Sequence, residues 1–193
     1  VEAVSDVIDC EEAQLEEYGG LTELQVDRVM EIARDALPAY GTVQQKKNGY
    51  TYLSLDDAWV HKLYEQIASD GIRKPAYFRS HEAPGAHISI IHESEAEKLG
   101  CKVKEIGQIH MFEVTNFAVV RSRFKEFFVL QVKAPTLEKM REGYSLRPLL
   151  QNHEFHITIG NRQIKPHKPS RAIWNGGMPA QTAHRLRLAA PGP

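Results

Sequence analysis

His87-Ile88-Ser89-Ile90 and His156-Ile157-Thr158-Ile159 are near copies of one string, set 69 residues apart. In each, a histidine and a hydroxyl residue alternate with isoleucine, the period-two pattern of a strand with one buried face. Side chains two apart share a face, so His87 projects with Ser89, and His156 with Thr158, while the isoleucines anchor both strands in a core. In a chain with nine histidines, chance gives two such strings about one time in a hundred. They commit the chain to two half-buried strands. A cleft lined by both holds two imidazoles and two hydroxyls, a set that suits phosphate chemistry.

The flanking pattern mixes helices and strands. Thr22-Glu23-Leu24-Gln25 reads as a capping box opening a helix whose Leu24, Val29, Ile32, Ala33 and Ala36 form an apolar stripe, ended by Pro38 and Gly41. A polar turn over 44–48 leads to a strand over 50–55. Ser54 then precedes a helix with Trp59, Val60, Leu63, Tyr64 and Ile67 spaced for one buried face, stopped by Gly71. The segment 73–85 is loop-like, with Pro75 and Pro84 and room for a short strand at 76–78, and it runs straight into the first string. Next come a short helix over 93–99 closed by Gly100, then strands over 109–120 and 127–132 joined by Arg121-Ser122-Arg123. A helix capped by Thr136 runs to about Tyr144 and the second string follows. Beyond Gly160, Pro, Gly and basic residues dominate, and 172–174 and 186–188 are the only candidates for strands.

This order predicts an α+β domain of two similar, duplicated lobes, each contributing one motif strand to a central cleft, with an N-terminal helical arm. The expected organisation is an acidic helical arm packed on the core over 1–45, a two-lobed core over 46–162 and a basic Pro- and Gly-rich extension over 163–193. The net charge of −1 hides this polarity: the first 35 residues carry eleven acids and two bases, whereas 155–193 carry six bases and no acid. Such asymmetry points to an anionic ligand at the basic end, beside the plainer reading of a solvated tail.

Cys10 and Cys101 have neither a CxxC partner nor disulfide-rich spacing, so a cytoplasmic or other reducing compartment is expected. No apolar run approaches the roughly 20 residues of a membrane helix, and the acidic start lacks the regions of a signal peptide. A chain opening on Val1 is expected to be a piece of a longer protein or a processed form. No obligate protein partner is implied. Neither GxGxxG nor GxxxxGK[ST] occurs, which argues against dehydrogenase and ATP-driven chemistry.

Taken together, the two strings and the strand-helix lead into the first resemble the two-histidine (2H) phosphoesterases, whose signature is a pair of His-x-Ser/Thr-x strings on paired strands of a bilobal α+β fold. The resemblance covers about 50–161. It implies metal-independent, cofactor-free cleavage or opening of a nucleotide or RNA-end phosphodiester, often a 2′,3′-cyclic phosphate. It also implies that His87 and His156 are the acid-base pair and that Ser89 and Thr158 hold non-bridging phosphate oxygens. Where many members carry a basic residue five positions after the motif histidine, this chain has His92 and Asn161, with Arg162 one step later.

The chemistry fits those residue types. Opening a phosphodiester removes a proton from the attacking oxygen and delivers one to the departing oxygen. Two imidazoles with ordinary pKa values of about 6.5 do both near neutral pH, each transfer being worth about 10²- to 10⁴-fold. Hydroxyls aimed at the phosphoryl oxygens stabilise the charge that builds there. Tyr77, Phe78 and His110 are candidates to stack a base or ribose, against a core role for each, and Arg162, with Lys165 and Lys168, to steer a polyanion.

Two rivals stand beside the enzyme. One is a nucleotide- or RNA-binding module that performs no chemistry. The other is a metal-dependent hydrolase, suggested by His153-Glu154-Phe155-His156 with His81, His87 and His92. On a strand, positions three apart point to opposite faces, and no HExxH or cysteine set occurs, so no metal ligands are assigned.

Overall fold

A computed structural model describes residues 18–69, 71–78, 83–100, 102–122 and 124–164. Helix α1 (Glu23–Asp35) leads into β1 (Tyr40–Gln45), β2 (Thr51–Ser54), α2 (Ala58–Ile67), β3 (Ile72–Arg73) and β4 (His87–Ile91). Then follow α3 (Glu93–Leu99), β5 (Ile109–Met111), β6 (Glu113–Arg121), β7 (Lys125–Lys133), α4 (Pro135–Gly143) and β8 (Phe155–Gln163). The strands form one antiparallel sheet in the order β5-β1-β2-β4-β8-β7-β6, with β3 added on β8. The fold is α+β, and the two motif strands, β4 and β8, are neighbours at its centre.

Alternation decides which face of this sheet is buried. Val43, Leu53, Ile88, Ile157, Leu130 and Phe117 stand opposite one another across six strands and are all buried. Offset by one residue, Gln44, Tyr52 and Ser89 form a polar row on the other face, which His156, Gln131 and Asn116 continue. Each fully buried aliphatic side chain of the first row is worth about 1.5–3 kcal/mol, so a one-residue slip, which exchanges the faces, is strongly disfavoured.

The edge strands β5 and β6 are joined by Phe112 alone. Laid flat, six strand spacings separate them by about 29 Å, whereas two Cα steps cover at most about 7.6 Å. The sheet therefore curls into a half-barrel. Here the structure corrects the reading of 109–120 as one strand: Phe112 leaves the ladder, its N–H donating to Ala39 O at 3.0 Å and its ring packing 5.4 Å from Trp59. Two further corrections concern short segments. Tyr40–Gln45, read only as the end of a helix and a turn, is β1, and 76–78 is a 3-10 turn following Pro75.

The helices follow their local chemistry. Thr22 and Gln25 form the expected capping box of α1. Val26, Val29 and Ala33 are its buried face, while Leu24 is 78 % exposed, because two residues along a helix turn it by about 200° from Val26. The N-cap position of α2 is Asp57 instead of Ser54, with no capping bond from its side chain, and α4 begins at Pro135, so Thr136 bonds His110 instead of capping. The strands 172–174 and 186–188 lie outside the described residues. No helix among the described residues is long and apolar enough to cross a membrane.

Candidate active site

The positioning of His87 starts at the N-cap of α2. Asp57 Oδ1 accepts from the N–H of Ala86 at 3.0 Å. Gly85, at φ +67°, passes so close to that carboxylate that a Cβ would collide with it. The carbonyl of Gly85 is thereby aimed at His87, whose Nδ1 donates to it at 2.8 Å. His156 repeats the device, its Nδ1 donating to the carbonyl two residues upstream, Glu154 O, at 3.1 Å. A carbonyl only accepts, so Nδ1 carries the proton in both rings and Nε2 is the nitrogen left for another partner.

Carrying the Ile88–Ile157 pairing one residue each way sets His87 against Thr158 and Ser89 against His156. The two imidazoles thus occupy one diagonal and the two hydroxyls the other. Diagonal neighbours on one face stand about 7–8 Å apart, which leaves a gap between the rings. A small cavity of about 60 Å³, lined by Ser89, Gln151, His153 and His156 among others, opens beside the pair.

Three tyrosines complete the surroundings. The rings of Tyr77, Tyr52 and Tyr50 meet the His87 ring edge-on, at centroid distances of 4.5, 5.7 and 6.1 Å. Tyr50 Oη lies 2.6 Å from Ser89 Oγ, and the Thr158 hydroxyl is close enough to the Tyr77 phenol to oppose the rise that burial gives its pKa. Burial pushes the Tyr50 phenol up to about 12, the bond with Ser89 opposing the rise. His87 is 7 % exposed, and that burial holds its pKa below the usual 6.5. The Gly85 carbonyl opposes the shift, while the charges of Lys46 and His156 add to it.

Between the lowered native value and 6.5 the unfolded chain binds more protons at this site, so its contribution to stability rises with pH across that window and is lost below it. Because Lys46 disfavours the protonated ring, Lys46→Met is expected to raise the His87 midpoint followed by NMR of its Cε1–H. An unchanged midpoint contradicts the assigned influence of Lys46.

The structure brings His87, Ser89, His156, Thr158 and Tyr77 together and leaves the other sequence candidates elsewhere. The Phe78 ring lies 5.0 Å from His61 and packs against the core. His110 is on edge strand β5, opposite Gly41 and therefore on the face of Val43, with Nδ1 3.0 Å from Thr136 Oγ1. Arg162 bonds Glu126 and donates to Gly19 O at 2.9 Å, its guanidinium 5.6 Å from the Phe128 ring centroid. His92 serves as the N-cap of α3. Among the described residues, no three or more His, Cys, Asp or Glu side chains gather where they could hold a metal ion. Lys165 and Lys168 lie outside the described residues. Tyr50, Tyr52, Gly85 and Lys46 had gone unassigned in the sequence. The period-two spacing of Tyr50, Tyr52 and Ser54 was a visible signal, but only the pairing of β2 with β4 directs it to this site.

A family model described as the Swiss Army Knife 2H phosphoesterase domain matches residues 51–167, which takes in both strings and more than half of the chain. The chain belongs to the 2H phosphoesterases. Comparisons with curated proteins and with solved structures gave no match.

Proposed function

We propose that the chain is a metal-independent phosphodiesterase acting on a nucleotide or RNA-end phosphodiester, with a 2′,3′-cyclic phosphate as the working substrate. One observation carries the reading: two imidazoles with Nδ1 held on backbone carbonyls occupy one diagonal of a sheet face and two hydroxyls occupy the other. His87, kept neutral by burial, takes the proton of the attacking water on Nε2 as the new P–O bond forms. His156 delivers a proton from Nε2 to the ribose oxygen as the old P–O bond breaks, giving an acyclic ribose phosphate. Ser89 and Thr158 donate to the non-bridging oxygens.

The site draws on residues of the 46–162 core, proposed with 1–45 as an acidic arm and 163–193 as a basic extension, although β1 (Tyr40–Gln45) already belongs to the sheet of that core. Hairpin, helix and motif strand occur twice, as β1-β2-α2-β4 and β6-β7-α4-β8, and the sheet order mirrors itself about the β4/β8 line. That symmetry supports a two-lobed, duplicated origin. The isolated cysteines favour a reducing compartment.

The test is incubation in EDTA with 2′,3′-cyclic nucleotides, linear dinucleotides and short RNAs, products being resolved by chromatography. Turnover of at least one class in EDTA is expected. Ligand recovered intact supports a binding module instead, and activity restored only by an added ion supports a metal-dependent hydrolase. For a polymer substrate, binding falls steeply as salt rises; for a small nucleotide it falls little.

A further inference from the structure

A serine or threonine hydroxyl has one proton and a free rotor, so the direction in which it donates is set by what donates to it. Each motif hydroxyl has a tyrosine partner from outside the motif strands. Ser89 Oγ stands 2.6 Å from Tyr50 Oη, which comes from the turn before β2, and the Thr158 hydroxyl neighbours that of Tyr77, from the 3-10 turn over Ala76–Phe78. Both tyrosine rings also pack on His87, so their placement is coupled to the catalytic face itself. Resting on the phosphodiesterase reading above, we propose that Tyr50 and Tyr77 are positioning residues, each donating to one motif hydroxyl so that Ser89 and Thr158 aim their protons at different non-bridging oxygens.

The antiparallel register supports a division of labour. With His87 against Thr158 and His156 against Ser89, the two hydroxyls lie on opposite corners of the gap between the imidazoles, related by the local two-fold of the strand pair. A phosphate in that gap presents one non-bridging oxygen to each corner. A phenol that keeps its proton can donate it to the neighbouring hydroxyl and leave that hydroxyl's own proton for the phosphate, and this is the direction proposed: Tyr50 to Ser89 to one oxygen, Tyr77 to Thr158 to the other. Successive bonds of this kind polarise one another.

The experiment measures opening of 2′,3′-cyclic UMP and of the separated Rp and Sp isomers of its phosphorothioate by wild type, Tyr50→Phe and Tyr77→Phe. Phenylalanine keeps the ring against His87 and removes only the hydroxyl, and circular dichroism checks that each variant is folded. Each variant is expected to lose about tenfold in kcat on the oxygen substrate, the equivalent of one hydrogen bond, with KM little changed. Sulfur at a position that has lost its donor no longer costs rate, so Tyr50→Phe is expected to abolish the thio penalty of one isomer and Tyr77→Phe that of the other. An equal slowing of both isomers by both variants, the mark of a merely structural role, overturns the proposal, as does no change at all. Wild type inert on every one of these substrates removes the cyclic-phosphate reading itself, and this inference with it.

Discussion

His156→Ala is expected to lower turnover by about 10²- to 10⁴-fold, and His87→Ala by as much, because in the proposed mechanism each removes one of the two proton transfers. The fold should survive both changes. His156 is half-buried and its described hydrogen bond is to the carbonyl of Glu154, so alanine leaves the β4/β8 pairing and its isoleucines in place. His87 is more deeply set among Tyr50, Tyr52 and Tyr77, and its loss leaves space beside Tyr50 and Tyr52, whose rings still stack on one another at 5.6 Å. Since the two groups serve one reaction, the double variant should be little slower than the worse single one. Measurement of kcat/KM beside circular dichroism checks this. Either single variant retaining full activity denies that histidine a role in the chemistry.

Arg141→Met should carry the largest cost in stability, about 3–5 kcal/mol. Arg141 is fully buried, and its five N–H groups all find acceptors. Nε donates to Arg147 O at 2.8 Å, Nη1 to Ile90 O and to Glu95 Oε2, and Nη2 to Glu95 Oε1 at 2.8 Å and Leu149 O at 3.5 Å. Ile90 lies in motif strand β4, while Arg147 and Leu149 belong to the chain leading to β8. One guanidinium therefore ties together the approaches to both histidines. Methionine fills similar space but leaves a partly buried carboxylate and several carbonyls without a donor. The bond from Arg141 is the main reason that the Glu95 pKa lies below its usual value. This stabilisation is complete above the unfolded value near 4.5 and is lost as pH falls through the lower native value. Urea unfolding at pH 7 and pH 3 should accordingly show a large difference between wild type and variant at pH 7 and a smaller one at pH 3. Equal differences at both pH values contradict the pairing.

How much of this was legible in the sequence depends on the range of the interaction. The isoleucine alternation, the Thr22 capping box and the apolar stripe of α2 are local patterns, and each recurs in the structure. The four residues at the centre of the site were legible for the same reason, because a period of two places histidine and hydroxyl on one face. What depended on strand order was hidden. Nothing local says that 109–120 splits at Phe112 to supply opposite edges of the sheet, or that Tyr50 reaches Ser89 across a strand pair. Arg162 looked available as a basic residue near the motif, but strand β7 sets Glu126 opposite it. Tyr40–Gln45 has a single strongly apolar inward residue, Val43, which is too little alternation to mark a strand.

The proposed role of His87 and His156 is that of a metal-independent acid-base pair with His87 as base. Its most direct test compares, in EDTA, a substrate with a ribose leaving group against a p-nitrophenyl phosphodiester, whose leaving group needs no proton. Wild type is expected to turn over both. His156→Ala should lose the first and keep the second within a few-fold, while His87→Ala should lose both. If both variants fail equally on the two substrates, or if wild-type activity disappears in EDTA, the assignment is contradicted.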